Sequence, residues 1–393
     1  MATAAVRANA APALEAGLIG VRVGEFEPPF VTTVDGQKLL NFSHCCYLET
    51  STHPAVVDAA VEATRTYGVQ LSVSPTYMAV DLYDELAGRL AEVTGRVAVV
   101  ASTTTLGHFG TLPGLVDPDS LVVVDRQAHN SLQMTCRMLA GSGVEVTHIL
   151  HSDLEALESL VASAPGRPVW YVADGVYSMF GDVAPFAGLR ELADRYENLW
   201  IYLDDAHGLG WSGLNGRGLA LEALGDHPRV VVIAGLSKSW GAGGAVVALP
   251  SEELAAKARF SPGPFMFSGP LKPAELGAAI ASADLHLSAA LDTRRSHLYA
   301  LMDHVRREAA RLGLQLVDDA DTPIFFVRVG DADRAIATAE RLRLDGFFVN
   351  VSAYPVVPRN QAGIRFTLTS ALTTGQVSDM LAALAGHVSS LVA

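Results

Sequence analysis

The sequence predicts an α/β protein whose main domain is built on a mostly parallel β-sheet. Seven short runs rich in β-branched residues alternate with stretches of helical character, and helices between strands favour parallel pairing. Most of the runs are continuously apolar, as expected of strands in a sheet that is covered on both faces. The predicted strands span residues 97–101, 121–124, 144–149, 169–172, 199–203, 230–234 and 245–249.

Polar residues follow several of these strands directly. In open α/β sheets, ligands bind beyond the carboxyl ends of the strands, so this edge of the sheet is where a site is predicted. The residues concerned are Asp125, Asp174, the pair Asp204 and Asp205, and Ser237 with Lys238.

The regions on either side of the sheet differ in character. We expect an N-terminal arm at residues 1–50, with Asp35-Gly36 as a hairpin turn before a strand at 38–42. A large domain is predicted at residues 51–275 and a smaller α+β domain at residues 276–393. The tail is predicted to contain a helix at 274–314, a strand at 323–329, a helix at 332–345, strands near 347–351 and 364–369, and a helix from Thr374.

Composition excludes several classes of function. A net charge of −14 argues against a nucleic-acid or anionic-membrane partner, since both favour basic surfaces. The N-terminus lacks the apolar core of a signal peptide, and no stretch approaches the roughly 18 consecutive apolar residues of a membrane span. The three cysteines include an adjacent pair and do not suggest a disulfide framework. We therefore predict a cytoplasmic protein in a reducing compartment.

One of the four lysines lies in a glycine-rich segment between two predicted strands. Lys238 belongs to the run A-G-L-S-K-S-W-G-A-G-G at 234–244, whose small residues would let a planar ligand approach the backbone. Partial desolvation of such a lysine lowers its pKa and favours an amine nucleophile or a Schiff base. A glycine loop that happens to carry a lysine is the alternative interpretation.

A second candidate element, Asp204-Asp205-Ala206-His207, ends another predicted strand. An enzyme that uses pyridoxal phosphate (PLP) needs a carboxylate against the pyridinium nitrogen, so that the ring can act as an electron sink. It also benefits from a donor near the phenolic oxygen. Asp204 and His207 would fill these roles, although an Asp pair at a strand end is often a helix cap or a metal ligand.

Residues 204–218 resemble the Asp-Glu-Ala-His…Gly…Gly…Gly-Arg-Gly signature of the α-oxoamine synthases. This family belongs to the aspartate-aminotransferase-like PLP enzymes of fold type I. Further segments resemble other family motifs in the same order, so that the likeness runs from about Gly36 to the C-terminus. These segments are 125–131, 174–182, 235–238, and 354–358 followed by 363–366.

The resemblance implies the aspartate-aminotransferase-like fold, PLP as cofactor, and roles for the matching residues. Lys238 would be the Schiff-base lysine and the acid/base at the substrate α-carbon. Asp204 would pair with the pyridinium nitrogen, and His129 would stack on the ring. His207 and Ser178 would lie near the phenolic oxygen.

Other positions would bind the cofactor phosphate. Backbone amides of residues 103–105, and so of Thr104 and Thr105, would cradle it, as N–H groups at a strand-to-helix turn can. Ser237 is a further cofactor-binding candidate. Ser268 would reach the phosphate of the partner subunit, because the family builds its sites at the interface of a homodimer.

The substrate residues implied by the resemblance are Arg365, which would bind the amino-acid carboxylate, together with Cys45 and Tyr77. The implied reaction is decarboxylative acyl transfer. Lys238 removes the α-proton, the α-carbon attacks an acyl thioester of coenzyme A or a carrier protein, and loss of carbon dioxide leaves an α-aminoketone. Transamination, racemisation or another carbanion reaction without a thioester is the alternative, since it would use the same cofactor residues.

Several positions depart from the family pattern. Residues 45–50 read CCYLET where the family usually has Asn-Asp-Tyr-Leu-Gly-Leu, and Ala79 replaces a histidine. Gly235 replaces a threonine that binds phosphate, and residues 103–108 read TTTLGH where Ser-Gly-x-x-Ala-Asn is usual. Residues 74–77 replace a Gly-Ser-Arg-like stretch. We interpret the chain as an atypical member, serving a specialised biosynthetic pathway.

Four other kinds of site or function are less consistent with these residues. Residues 208–213 form a literal G-x-G-x-x-G, but the glycines start four residues after Asp204 and a further Gly-Arg-Gly follows, which argues against a dinucleotide-binding dehydrogenase. The Lys-Asp-His set argues against a regulatory module without catalysis. No second ligand pair accompanies residues 44–46, so no metal is predicted. Ser212 lies in Gly-Trp-Ser-Gly, not in the G-x-S-x-G of serine hydrolases.

Overall fold

The computed structural model describes residues 11–354, 356–358 and 360–390. Residues 1–10 of the predicted arm, Pro355 of the 354–358 motif and residues 391–393 of the predicted small domain lie outside the described residues. The strands are β1 (Val23–Glu27), β2 (Phe30–Thr33), β3 (Lys38–Asn41), β4 (Val97–Ala101), β5 (Leu121–Asp125), β6 (Glu145–Ile149), β7 (Val169–Asp174), β8 (Leu199–Asp204), β9 (Val230–Gly235), β10 (Ala245–Leu249), β11 (Ile324–Gly330), β12 (Phe347–Phe348), β13 (Asn350–Ser352) and β14 (Ala362–Thr367). The helices are α1 (Pro54–Tyr67), α2 (Leu82–Thr94), α3 (Thr104–Leu115), α4 (Asn130–Gly141), α5 (Leu154–Ala162), α6 (Phe186–Arg195), α7 (Leu219–Leu224), α8 (Glu252–Arg259), α9 (Pro264–Phe267), α10 (Pro273–His286), α11 (Asp292–Leu312), α12 (Ala332–Leu344) and α13 (Thr374–Ser390).

The described chain divides into two compact units. The large unit comprises Thr50–Tyr177 and Val183–Asp292. The small unit comprises the described residues up to Glu49, the segment Ser178–Asp182 and the described residues from Thr293. The domain boundaries that the sequence suggested stay predictions.

The seven-stranded sheet of the large unit confirms the predicted fold class. Its strand order is β4-β10-β9-β8-β7-β5-β6, and every predicted strand of the main domain is present within a few residues of its expected bounds. Most neighbours are parallel, but β10 pairs antiparallel with both β9 and β4. The reason is the short connection at residues 236–244, because a parallel neighbour needs a crossover of a dozen or more residues.

The parallel register brings the polar strand ends to one edge of this sheet. Asp174 at the end of β7 pairs directly with Asp204 at the end of β8. Asp125 and Gly235 end β5 and β9 on the same side. The strand interiors behind them are buried on both faces, with Val122, Val123, Tyr171, Tyr202 and Ile233 almost fully enclosed. A rigid core therefore holds the edge where the site was predicted.

The small unit contains two further sheets, β1-β2-β3-β12 and β11-β14-β13. The predicted hairpin between β2 and β3 is confirmed: Gly36 adopts a positive φ of 87° and its N–H donates to the Thr33 carbonyl at 2.9 Å.

The single helix predicted at residues 274–314 is wrong, since α10 and α11 are separate helices. The chain turns between them at Ser288, whose hydroxyl accepts a hydrogen bond from the Ala290 N–H. No glycine or proline lies at this break, and the apolar pattern of a helix continues across it, so the sequence does not indicate that the helix ends here. Among the described residues, no helix combines the length and the apolar character needed to cross a bilayer.

Candidate active site

Asp204 lies at the centre of a buried hydrogen-bond chain at the end of β8. One carboxylate oxygen, Oδ2, is 2.9 Å from Nε2 of His108, and the other, Oδ1, accepts from the Ala206 N–H at 3.0 Å. The second ring nitrogen of His108, Nδ1, is 3.0 Å from the Tyr202 hydroxyl. Tyr202 and Asp204 are two residues apart on one strand and so face the same side of the sheet, where α3 presents His108.

The two facing carboxylates of β7 and β8 differ in their pKa. Burial raises the pKa of Asp174 well above its usual value, and the negative charge of Asp204 raises it further. Burial acts on Asp204 as well, but the hydrogen bond from His108 and the charge of Lys238 outweigh it and lower the pKa of Asp204. Asp204 therefore loses its proton more readily than Asp174.

Lys238 is half-buried in the tight connection between β9 and β10. Its carbonyl accepts from the Gly241 N–H at 3.0 Å, and the Leu236 N–H donates to the Gly244 carbonyl at 3.0 Å. Both glycines have positive φ, and a Cβ at position 241 would overlap the backbone of Ser51. The glycines thus close the loop on itself and fix the backbone from which Lys238 projects.

The N-terminus of α3, where the sequence predicts the cofactor phosphate, lies at the same sheet edge. Thr103 caps the helix, since its hydroxyl accepts from the Leu106 N–H at 3.1 Å. Thr104 and Thr105 form the first turn, where backbone N–H groups have no partner within the helix and favour an anion. A Cβ at Gly235 would lie only 2.7 Å from the Thr104 hydroxyl oxygen. Thr104 therefore occupies the space that a side chain at position 235 would need.

His129 and His207 lie in loops that follow strand ends of the large unit. His129 caps α4; its N–H donates to Asp174 at 2.9 Å, and its Nδ1 is 2.7 Å from the Ser131 hydroxyl. The ring is held at one nitrogen and is exposed, as a platform for a stacked ring requires. His207 is half-buried in the turn after β8, and its carbonyl accepts from the Trp211 indole N–H.

A cavity of about 400 Å³ opens beside the start of α3. It is lined in part by Thr76, Ser102, Leu106, Phe260 and Ser268, so the predicted phosphate-binding Ser268 shares it with the residues that lead into α3. The neighbouring Tyr77 is 84% exposed. Ser237 is also exposed, in the loop that carries Lys238.

In the small unit, Arg365 is held in one orientation by three neighbours. Its Nε donates to the Ser178 carbonyl at 2.7 Å, Nη1 is 3.4 Å from the Asn350 side-chain oxygen, and Nη2 is 3.9 Å from the Cys45 sulfur. Asn350 in turn donates to the Ser43 hydroxyl at 2.8 Å, which points its oxygen toward the guanidinium. Cys45 and Arg365, both named as substrate residues from the sequence, thus lie in contact, and their roles toward substrate stay predictions. Ser178 contributes its carbonyl here, and its role at the phenolic oxygen stays a prediction.

Glu49 explains one departure from the family pattern in conformational terms. It adopts a φ of 52°, in the left-handed region that glycine enters freely, and the family usually has glycine at this position. Its carboxylate oxygen Oε1 lies 3.0 Å from Nε2 of His44. The substitution therefore keeps the backbone turn and adds a polar contact next to Cys45.

The glycines of the 208–218 segment serve packing around Asp205. A Cβ at Gly208 or Gly218 would overlap the Asp205 carboxylate, and one at Gly175 would lie 2.6 Å from it. Residues 208–213 form turns, and α7 begins only at Leu219, so this G-x-G-x-x-G does not open a helix as a dinucleotide-binding loop does.

Sequence reasoning missed His108, Tyr202 and Asn350 as functional residues. His108 was noticed only as a departure from the family asparagine. The i, i+2 spacing of Tyr202 and Asp204 indicated a shared face, but not which residue of α3 meets it. Asn350 pairs with Arg365 across β13 and β14, and only the strand register reveals this.

The chain is similar to proteins of known family over most of its length. The model of the family "Aminotransferase class I and II" matches residues 37–384. The chain is 35% identical over 356 residues to 8-amino-7-oxononanoate synthase of Stutzerimonas stutzeri, covering 90% of this chain and 88% of the relative. It is 37% identical over 370 residues to the enzyme of the same name from Anaeromyxobacter dehalogenans, covering 92% and 89%.

Solved structures show the same fold. A serine palmitoyltransferase from S. paucimobilis, solved with PLP bound, superposes with a TM-score of 0.90 at 22% identity and covers 99% of this chain and 98% of its own. An 8-amino-7-oxononanoate synthase from Francisella tularensis superposes with a TM-score of 0.75 at 22% identity, covering 90% and 99%.

Proposed function

The chain belongs to the α-oxoamine synthases of the aminotransferase class I and II family, and we propose from this that it is a PLP-dependent acyltransferase. The proposed reaction joins an amino acid to an acyl thioester. A carbon–carbon bond forms between the α-carbon and the thioester carbonyl, the carbon–sulfur bond breaks and a free thiol leaves. The bond to the amino-acid carboxylate then breaks, and carbon dioxide and an α-aminoketone result.

The chemistry of the strand-end residues fits PLP. An ionised, buried carboxylate at Asp204 suits a protonated pyridine nitrogen, the N-terminus of α3 suits a phosphate, and the half-buried amine of Lys238 suits covalent attachment. When bound, PLP supplies an electron sink for negative charge at the amino-acid α-carbon. The position of Asp204 carries this assignment, because its buried carboxylate, held by His108 and by the Ala206 N–H, would be the anionic partner of the ring nitrogen.

Two residues of the chain act on the amino acid in this proposal. Lys238 moves the proton at the α-carbon. Arg365 binds the carboxylate through its terminal nitrogens, since its Nε is already engaged by the Ser178 carbonyl. Asn350 and Cys45 contact the terminal nitrogens of Arg365 and hold the guanidinium plane. At position 45, where the family has asparagine, the smaller cysteine side chain makes this contact.

We also propose that the enzyme is a homodimer in which Ser268 reaches the cofactor phosphate of the partner subunit. Tyr77, Phe260 and Phe267 are 84%, 70% and 75% exposed, unusual values for large side chains in one surface region. The Ser74 hydroxyl donates to the Met266 carbonyl at 2.6 Å and joins the two loops that carry them. Sedimentation equilibrium is expected to give twice the 41.5 kDa chain mass, and a fully active monomer would contradict the dimer.

The acyl-transfer proposal is tested by incubating the PLP-loaded enzyme with single amino acids and acyl-CoA thioesters. We expect thiol, carbon dioxide and α-aminoketone in equal amounts, and only when both substrates are present. Amino-group transfer to a 2-oxo acid without thiol release would instead establish transamination. Replacement Lys238→Ala is expected to lower the rate by at least about 10²–10⁴-fold, the usual contribution of a positioned acid/base. The matched control Lys257→Ala, on the exposed face of α8, should keep the wild-type rate.

A further inference from the structure

We propose that His108 is a positioning residue: its imidazole, anchored by the Tyr202 hydroxyl, fixes the orientation of the Asp204 carboxylate and keeps it ionised. This inference rests on the proposed PLP chemistry, in which Asp204 holds the proton at the ring nitrogen. It assigns a role to a residue that stands where the family signature has asparagine.

The row of hydrogen bonds from Tyr202 through His108 to Asp204 is continuous and buried. Both ring nitrogens of His108 are engaged, at 3.0 Å by Tyr202 and at 2.9 Å by Asp204. Tyr202 and His108 are fully buried, and Asp204 is 6% exposed. Buried polar groups are held in place by their hydrogen bonds because no water competes for them, so Asp204 has little freedom to rotate.

The direction of the hydrogen bonds follows from the acceptor. An ionised Asp204 can only accept, so Nε2 of His108 must carry a hydrogen. In the neutral imidazole, Nδ1 then accepts from the Tyr202 O–H. Burial raises the pKa of Tyr202 well above its usual value, so the phenol remains a donor. Tyr202 therefore selects the tautomer of His108 that donates to Asp204.

Local packing is adapted to a histidine at this position. A Cβ at Gly107 would lie 2.5 Å from the Ile233 side chain, so α3 approaches the sheet more closely than alanine would allow. The close approach lets one planar ring contact two side chains of β8. An asparagine could donate one hydrogen bond to Asp204, but it lacks a second ring nitrogen at the distance of the Tyr202 hydroxyl.

Other ionisable groups also act on Asp204 and would titrate alongside it. Lys238 stabilises its negative charge, whereas Asp174, whose pKa is raised by burial, lies at the neighbouring strand end. The full set comprises His108 on α3, Tyr202 on β8, Asp174 on β7, Asp205 after β8, His129 before α4 and Lys238 after β9. Of these, His108 donates directly to the Asp204 carboxylate, so its removal is the specific perturbation.

The test compares His108→Phe, His108→Asn and Tyr202→Phe as PLP-bound enzymes without substrates. The absorbance of bound PLP is titrated against pH. We expect the spectrum of His108→Phe to change with pH over a range where that of the wild type is constant, because Asp204 takes up a proton more readily. His108→Asn should restore most of the wild-type profile, and Tyr202→Phe should shift it less than His108→Phe.

Steady-state kinetics provide the second readout. His108→Phe should lower kcat by about 10–100-fold, as the loss of one hydrogen bond to a charged group predicts, and leave the KM for the thioester unchanged. A wild-type spectral titration in His108→Phe would overturn the proposal. If His108→Phe does not fold, equal titrations for wild type, His108→Asn and Tyr202→Phe would overturn it. A wild-type enzyme that binds no PLP would instead refute the proposed function before any variant is compared.

Discussion

Replacement of Gly235 by threonine, the residue that the family has at this position, is expected to destabilise the protein. A Cβ at position 235 would lie 2.7 Å from the Thr104 hydroxyl oxygen, 0.7 Å closer than the 3.4 Å at which ordinary contact begins. Thr104 would have to leave its rotamer at the start of α3. Overpacking of this kind costs about 1–3 kcal/mol.

A double-variant cycle separates this clash from other effects of the substitution. Thr104→Gly alone should cost about 0.5–1 kcal/mol, because glycine weakens the first turn of α3. The double variant Thr104→Gly with Gly235→Thr should be no less stable than Thr104→Gly, since the two side chains no longer compete for one space. The coupling free energy should therefore be about 1–3 kcal/mol.

Thermal unfolding of the apo-protein measures the effect. Gly235→Thr should lower the melting temperature by about 1–4 °C, and PLP binding should weaken because the displaced Thr104 belongs to the proposed phosphate site. The control Gly141→Ala adds a Cβ that meets nothing within 4 Å and should change neither quantity appreciably. Additive single effects, with no coupling, would refute the idea that Thr104 and Gly235 exchange one side-chain space.

Two further predictions concern Asp205. Gly208→Ala should destabilise the protein by about 2 kcal/mol or more in thermal unfolding, because the new methyl group would overlap the Asp205 carboxylate. The control Gly88→Ala, in the open interior of α2, should stabilise the protein by up to about 1 kcal/mol. Equal shifts in melting temperature for the two variants would contradict this packing. Burial raises the pKa of Asp205 from 3.8 to about 7. Between these two pKa values the folded protein binds a proton at Asp205 that the unfolded chain has lost, so the free energy of unfolding should fall as pH rises from about 4 to about 7. Asp205→Asn should lack this loss, and an unchanged pH profile of the melting temperature in that variant would show that Asp205 is ionised throughout.

Local patterns predicted much of the large unit. Runs of β-branched residues located all seven strands, since burial on both faces leaves a continuous apolar stretch. The antiparallel direction of β10 results from its short connection to β9, and the apolar pattern does not encode the length of a loop. The break at Ser288 was missed because the helical pattern continues through it and the turn is made by a side-chain hydrogen bond.

The departures from the family pattern show where sequence reasoning ended. Gly235 departs from the family at a phosphate-binding position and Thr104 belongs to the predicted phosphate loop, yet a side chain at position 235 would need the space that Thr104 fills. His108 was read as a change in the phosphate loop, yet its ring lies against Asp204. In both cases the two residues in contact are far apart in sequence, and the departure from the family is explained only by the residue that it contacts in the fold.

The sequence by itself determined where the strands lie along the chain, which polar residues follow them and which family the motifs resemble, because periodicity and motif spacing are local properties of the chain. Tertiary structure decided the order of the strands in the sheet and which of these residues touch. His108 lies 94 residues from Tyr202 and 96 from Asp204, and only the packing of α3 on the sheet joins them. The opposite directions in which the pKa values of Asp204 and Asp174 are shifted likewise depend on burial and on distances between neighbouring groups, which the fold alone sets.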